Sequence, residues 1–255
     1  TYILGAGIAH DVFVVMFKIP NLFRRLFAEG AFSQAFIPIF TDYKTNQSNE
    51  ELKKLLNLSF TAISSIVLSI CIIFMIFAPL VVFVFAPGFY FDVEKKYLAI
   101  DILRITFPYL FFVSLVAFFS SVLNTFNQFS IPAATPIAFN LSIIFGALFL
   151  TDYFDLPVLA IAWGVFFAGI IQLFISLIPI VKLKLIPKLK IDFNHPGLKK
   201  VFILMVPGIL SGGIIQINIL VDTIFASLLE TGSPTWLYLS AVSYTHLRAH
   251  ETSVN

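Results

Sequence analysis

Charge is what this sequence has least of. Asp, Glu, Lys and Arg make up 12% of 255 residues, while hydrophobic residues make up 59%, with 31 phenylalanines among them. Soluble domains average about 25% charged and 45 to 50% apolar residues, so a water-soluble globule is excluded. There is one cysteine, Cys71, which cannot close an intrachain disulfide and sits in an apolar run without metal-ligand neighbours. Disulfide scaffolds and zinc modules are excluded with it. A formal charge of +2, from 16 basic and 14 acidic residues, is too small for a nucleic-acid footprint.

What is present is a series of long stretches without Asp, Glu, Lys or Arg: 55–91, 105–151, 156–181 and 201–221. A helical crossing of the hydrocarbon core takes about 20 predominantly apolar residues. The 105–151 run is too long for one crossing and is interrupted by NQFSIPAATP at Asn127 to Pro136, whose polar residues and prolines mark a turn. Together with the segment around Asp11 to Phe40, this predicts an all-α polytopic membrane protein with helices at roughly 9–42, 53–86, 94–127, 131–151, 156–181 and 197–230. Residues 1–5 read as the end of a preceding helix. The chain divides into a lobe at 1–184, a basic loop and a further helix at 185–240, and a tail at 241–255.

Lysine placement sets the orientation. One set of alternate connections carries Lys44, Lys53, Lys54, Lys182, Lys184, Lys188, Lys190, Lys199 and Lys200. The other carries Lys95 and Lys96, offset by Asp92 and Glu94, and also Asp152 and Asp155. The connections at 43–53, 127–131 and 182–200 are therefore cytoplasmic. The lysine-rich KLKLIPKLKIDF (Lys182 to Phe193) is either a loop resting on anionic headgroups or a point of substrate-phosphate capture.

After Ser240 the apolar character ends. His246 and His250 have the i, i+4 spacing of a helical metal pair, but no convincing third ligand accompanies them. AVSYTHLRAHETSVN reads as a non-native tail resembling translated adapter or vector sequence, so no metal is expected.

The chemistry concentrates in the first long helix, where Asp11, Lys18, Arg24, Arg25 and Glu29 interrupt Phe, Val, Ile and Leu. Each charge at a helix centre costs about 2.5 to 3.5 kcal/mol, so five facing lipid would cost roughly 12 to 17 kcal/mol. At 100° per residue, with Asp11 at zero, Lys18 falls near 340°, Arg25 near 320° and Glu29 near 0°, forming one stripe, with Arg24 about 100° from Arg25. Mutual neutralisation, Asp11 with Lys18 and Arg25 with Glu29, is one use of such a stripe. The other is a cationic, water-filled cavity for an anionic headgroup, favoured by the excess of cations and by the planar fork that guanidinium offers to phosphate.

KIPNLFRRLFAEGAFSQAFIPIF (Lys18 to Phe40) resembles the signature of the MurJ (MviN) family of lipid II flippases, within the multidrug/oligosaccharidyl-lipid/polysaccharide exporter superfamily. The approach GAG-x-x-x-D to Asp11, APGF at 86–89, ITFPYLFF at 105–112, LNTFNQFSIPAATP at 123–136 and DTIFASLLETGSPTWLYLS at 222–240 extend the resemblance. It implies the N-terminal lobe and seventh helix of a two-lobe exporter in the bacterial inner membrane. The implied task is to move undecaprenyl-pyrophosphate-linked disaccharide pentapeptide to the outer leaflet by alternating access. Lipid II and membrane lipids are the implied partners; nucleic acid, an obligate protein partner and a bound cofactor are not. The resemblance places Asp11, Arg24 and Arg25 in the substrate cavity, to which the stripe adds Lys18 and Glu29.

Transport would draw on sodium, membrane potential or product removal, and Asp222 with Asn218, one inward stripe of the last helix together with Ser211, is the candidate ion site; interhelical hydrogen bonding is the competing role. Gly208 and Gly212 beside Pro207 suggest close helix packing or a hinge. An enzyme would need clustered carboxylates or a His and Asp constellation, which the scattered acids do not form. The alternative transporter is a sister exporter of another polyprenyl-linked glycan or of amphipathic drugs. Against the family pattern, arginines of a first helix would precede Thr1, Ala241 stands where Asp is expected, and a second lobe is absent from the sequence. The fragment alone is expected to be inactive.

Overall fold

The computed structural model describes residues 7–192 and 194–240, with backbone only at 26–29 and 215. Glu29, the tail with His246 and His250, and the helix end expected at 1–5 lie outside what is described.

The chain is a helical bundle. α1 (Ile8–Phe23) runs through a π-helical segment (Arg24–Phe32) into α2 (Ser33–Asn46). α3 (Asn49–Ile76) and α4 (Ala78–Phe85) return, the short α5 (Pro87–Tyr90) caps the far end, and α6 (Val93–Thr106) with α7 (Pro108–Thr125) crosses back. α8 (Ser130–Phe149) and α9 (Pro157–Lys182) form a hairpin, α10 (Pro196–Leu228) crosses once more, and α11 begins at 233 and is described to 240.

Five of these helical stretches are long and apolar enough to span a membrane: Asn49–Ile76, Val93–Thr125, Ser130–Phe149, Pro157–Lys182 and Pro196–Leu228. The sixth predicted crossing, 9–42, lies within a stretch that is helical from Ile8 to Asn46 but carries the charge cluster and is divided by the π segment. Two other crossings contain joints that periodicity conceals. Prolines that start α4 and α7, at Pro79 and Pro108, supply no N–H to the preceding turn. The last predicted helix, 197–230, ends within two residues of that bound at Leu228, and a turn at Glu230 to Gly232, where Gly232 has φ 98°, starts α11, a helix that the sequence reading did not place.

The connections follow capping chemistry. Ser48 accepts from the Glu51 N–H at the start of α3, and Asp92 accepts from the N–H groups of Glu94 and Lys95 at the start of α6. α7 ends with Asn127 at φ 58° and a Gln128 N–H bond to the Leu123 carbonyl of 2.9 Å, a left-handed termination in which asparagine replaces the usual glycine. Lys44 donates to the Thr125 carbonyl at 2.7 Å, placing a cation at the α7 C-terminus.

Aromatic packing fills the centre. Phe32, Phe36 and Phe40, four residues apart on one face, stack at 4.9 and 4.8 Å, and Phe118 of α7 joins them at 5.4 Å from Phe36. Small residues bring α8 onto α9. A Cβ on Gly146 would stand 2.9 Å from the Ala160 carbonyl, and one on Gly164 3.2 Å from that of Ser142, whose hydroxyl donates to the Gly164 carbonyl at 2.8 Å. α8 otherwise turns Leu141, Phe145 and Leu148 outward, as a lipid-facing helix does. Many hydroxyls are satisfied within their own helix: Thr61, Ser69, Thr106, Ser114 and Thr223 each donate to the carbonyl four residues back.

Candidate functional site

The cluster of charges does not remain one stripe, because the backbone changes pitch beneath it. From Arg24 to Phe32 the helix is π-helical, with a wider turn than 3.6 residues, so the 100° spacing that aligns Arg25 and Glu29 with Asp11 and Lys18 does not extend past Phe23. Gly30 permits this: a Cβ there would lie 2.8 Å from the Arg25 carbonyl, five residues back. Pro20, one turn before Arg24, provides no N–H to the α-helical pattern.

The four described members of the cluster have different environments. Asp11 is buried, 1% exposed, and is held by the start of α11. Its carboxylate accepts from the backbone N–H of Thr235 at 3.0 Å, from that of Gly232, and from the Thr235 hydroxyl. Because that hydroxyl's proton goes to Asp11, the Nδ1 of His10, 3.1 Å from the same oxygen, is the donor in its own contact. Asp11, expected in the substrate cavity or else paired with Lys18, instead caps α11 from more than two hundred positions earlier and does not line the chamber around Arg24. Lys18 is half-buried and instead feels the charge of Asp222 on α10. Arg25 is exposed.

Arg24 lines a chamber of about 520 Å³ enclosed by α1, the π segment, α2, α7, α8 and α9. Its Nε donates to Asn21 Oδ1 at 3.1 Å, which orients the guanidinium plane. On the facing walls, Ser33 and Ser121 are hydrogen-bonded at 2.9 Å; Ser121 gives its proton to the Ala117 carbonyl, so Ser33 is the donor between them. Ser120 and Asn124 also line the chamber.

Gln172 of α9 is buried, and its amide donates to the Thr135 carbonyl at 2.9 Å, while its Oε1 has no hydrogen-bond partner among the described residues. Thr135 in turn donates to the Pro132 carbonyl at 2.9 Å, which Pro136, lacking an N–H, cannot satisfy. A packed aromatic group, Phe17, Tyr109 and Phe139 at 5.4 to 6.2 Å, closes one end of the chamber, and Asn124 lines the other. The arrangement is a guanidinium, a free amide acceptor and several hydroxyls inside an apolar bundle, suited to an anion bearing hydroxyl groups. No nucleophile and base pair, and no cluster of three metal-ligating side chains, accompanies it among the described residues.

Asp222 and Asn218, the expected ion ligands, are exposed on α10, and the Ser211 hydroxyl is turned back to the Gly208 carbonyl at 3.2 Å. Gly208 packs on the π segment, where a Cβ would stand 3.0 Å from Ala31. The residues that sequence reasoning missed are Gln172, Asn21 and Ser33 in the chamber and Thr235 at Asp11. Polar residues in otherwise apolar runs were the available signal for the first three; Thr235 offered none.

A multi-pass helical bundle with a half-buried guanidinium in a polar chamber and no catalytic constellation among its described residues has the features of one lobe of a membrane transporter. The family model for lipid II flippase MurJ matches residues 1–247, and the chain belongs to that family. The chain is 40% identical over 237 residues to the probable lipid II flippase MurJ of Buchnera aphidicola subsp. Schizaphis graminum, covering 93% of the chain and 46% of that relative. It is 36% identical to the lipid II flippase MurJ of Burkholderia cenocepacia, covering 91% and 46%. A solved structure, lipid II flippase MurJ in an inward closed conformation, superposes with TM-score 0.77 at 30% identity over 94% of this chain and 49% of that one. The chain thus spans about half the length of the relatives it matches.

Proposed function

We propose that this chain forms one wall of a lipid II translocation path in a bacterial inner membrane, within a protein that is a transporter and not an enzyme. Family membership supports the cargo, and the observation that carries the site is Arg24, a guanidinium lining a polar chamber of about 520 Å³ in a bundle otherwise short of charge. A diphosphate with attached sugars cannot enter hydrocarbon without losing its water. A guanidinium replaces that water with charge-assisted, bidentate hydrogen bonds, and the free Gln172 Oε1 accepts from a sugar hydroxyl or from water. The polyprenyl tail remains in lipid and no bond is made or broken.

At the outer end, the start of α11 is tied to α1 by Asp11, the last turn of α10 to α5 by the Gly88 N–H bond to Ser227 Oγ at 3.3 Å, and the turn between them to α6 by Lys95 donating to Thr231 at 3.0 Å. In an alternating-access cycle these ties hold the outer mouth shut while the cytoplasmic-side chamber loads, and they part when it empties. Asp222 and Asn218 serve as the ion site in this reading, with sodium drawing Asp222 away from Lys18. Arg25 adds to the positive charge around the path.

The test is replacement of Arg24 in the full-length protein. Arg24→Ala is expected to abolish rescue of cells depleted of their flippase while leaving membrane insertion unchanged. Arg24→Lys is expected to rescue only weakly, since an ammonium does not reproduce the planar fork. Normal growth of the alanine variant would remove Arg24 from the site.

A further inference from the structure

The lysine-rich loop after α9 is built into the fold more firmly than a loop resting on headgroups requires. Residues 185–192 lie extended along the cytoplasmic half of α3. The Lys188 N–H donates to Asn57 Oδ1 at 2.7 Å and the Lys190 N–H to Thr61 Oγ1 at 3.0 Å. Asn57 and Thr61 are buried beneath the loop, and Leu185 at its start is buried as well. The backbone is thereby held in register, and the lysine side chains project from it exposed.

Two hollows meet at this loop. The first, about 490 Å³, lies between the start of α3 and the loop and is lined by Lys53, Lys54, Lys184, Lys188 and Lys190, with Glu50 and Glu51 beside them. Five lysines meet two carboxylates there; Glu51 lies 3.3 Å from His195, and Asp192, outside the hollow, takes up Lys54 at 3.9 Å. The hollow therefore retains an excess of positive charge. The second, about 440 Å³, is an apolar groove between α3 and α10 that begins at Lys190, Ile191 and Asp192 and follows α3 from Leu58 to Ile73. Its length along α3 is about 22 Å at 1.5 Å per residue, more than the roughly 15 Å depth of one hydrocarbon leaflet. Ser65, Ile66, Ser69 and Ile73 leave its lip open to the side. Lys190 belongs to both hollows, so the cationic pocket sits where the acyl groove begins.

We propose that this junction is a binding site for an anionic phospholipid of the cytoplasmic leaflet, its phosphate held by Lys184, Lys188 and Lys190 and one acyl chain lying in the α3/α10 groove. The charge excess selects the anionic headgroup, and the groove selects a lipid over a soluble phosphate. The site is separate from the Arg24 chamber, on different helices, and its occupancy does not depend on the cargo of that chamber.

The experiment uses delipidated full-length protein in detergent, titrated with phosphatidylglycerol and with phosphatidylcholine of the same acyl chains, with bound lipid read by native mass spectrometry. Phosphatidylglycerol is expected to bind at least tenfold more tightly. The variant Lys184→Gln/Lys188→Gln/Lys190→Gln should weaken phosphatidylglycerol by up to about a hundredfold, each surface lysine being worth a factor of about five, and should abolish the preference. Ala62→Trp, which fills the groove, should weaken both lipids together. Should that variant fail to assemble, Ser65→Trp on the exposed lip replaces it. Arg24→Ala should leave phosphatidylglycerol binding unchanged, so the outcome is independent of the transport reading.

The proposal is overturned if the triple variant keeps the full preference, or if phosphatidylcholine binds wild type equally well. It is also overturned if glycerol phosphate competes with phosphatidylglycerol at equal concentration, which would mark a soluble-anion pocket. Displacement of phosphatidylglycerol by lipid II, with loss of lipid II binding in the triple variant, would assign the site to the cargo and overturn it as well.

Discussion

Replacing Asp11 with asparagine changes one oxygen to an amino group and tests the tie between α1 and α11 with almost no change in volume. The carboxylate has two separate duties: Oδ1 accepts from both the N–H and the hydroxyl of Thr235, and Oδ2 accepts from the Gly232 N–H. An asparagine keeps one oxygen, which is best used at Thr235, where it meets two donors. Its amino group then faces the Gly232 N–H, donor against donor. The loss is one charge-assisted hydrogen bond, about 1.5 to 3 kcal/mol. At 1.4 kcal/mol per tenfold change, this predicts about ten- to hundredfold faster local opening at residue 232. Hydrogen–deuterium exchange of the full-length protein in detergent should show that acceleration at Gly232, with a smaller one at Thr235. Unchanged exchange at both amides would refute the capping role and return Asp11 to the cavity.

Three other outcomes follow from the geometry. Gly88→Ala would put a Cβ 1.9 Å from the Ser227 carbonyl, a backbone atom that cannot yield cheaply, so α5 and α10 should separate with a loss of about 1 to 3 kcal/mol or more; Ser227→Ala, losing only a hydroxyl bond, should cost about 0.5 to 1.5 kcal/mol. Thermal unfolding of the two full-length variants in detergent compares them, and equal midpoints would contradict the close approach. Removing the loop tethers with Asn57→Ala and Thr61→Val should release the backbone at Lys188 and Lys190, so that trypsin cuts there at least tenfold faster; an unchanged rate would mean the tethers do not hold it. Tyr43, in the last turn of α2, has its phenol pushed above the ordinary value of 10.0 by burial first and by the charge of Glu51 second. A group whose folded pKa is raised stabilises the fold below its unfolded pKa and loses that contribution as pH rises through the folded value. The packing of Tyr43 against Gly197 should therefore weaken only in alkali above about pH 10, and Tyr43→Phe should remove that part of the pH dependence of unfolding.

Most of the bundle was legible from charge-free length, since a bilayer enforces one rule on every crossing. The ends of α8 and α9 fall within two residues of expectation because Asp152, Asp155 and Lys182 mark the edges of their apolar runs. The joints at Phe77 and Phe107 were not legible: prolines inside membrane helices often leave the path continuous, and whether they divide it depends on neighbours. That Arg24 would face a polar chamber was legible because a guanidinium in such a segment is too costly to face lipid. The separate environments of Asp11, Lys18 and Arg25 were not, for two physical reasons. The π segment depends on Gly30, whose missing Cβ matters only once the Arg25 carbonyl is known to approach it. The partners of Asp11 lie at the far end of the sequence, and no periodicity connects residue 11 to residue 235.

The hydroxyls of this bundle also bear on how its apolarity is judged. A serine or threonine whose proton already rests on the carbonyl one turn earlier, as at Ser69 or Thr223, shows its surroundings little more than an ether-like oxygen. Scales that assign every such residue one fixed transfer penalty therefore understate how oily the helices are, because rotamer choice, not the tally of oxygens, decides what the lipid tails meet.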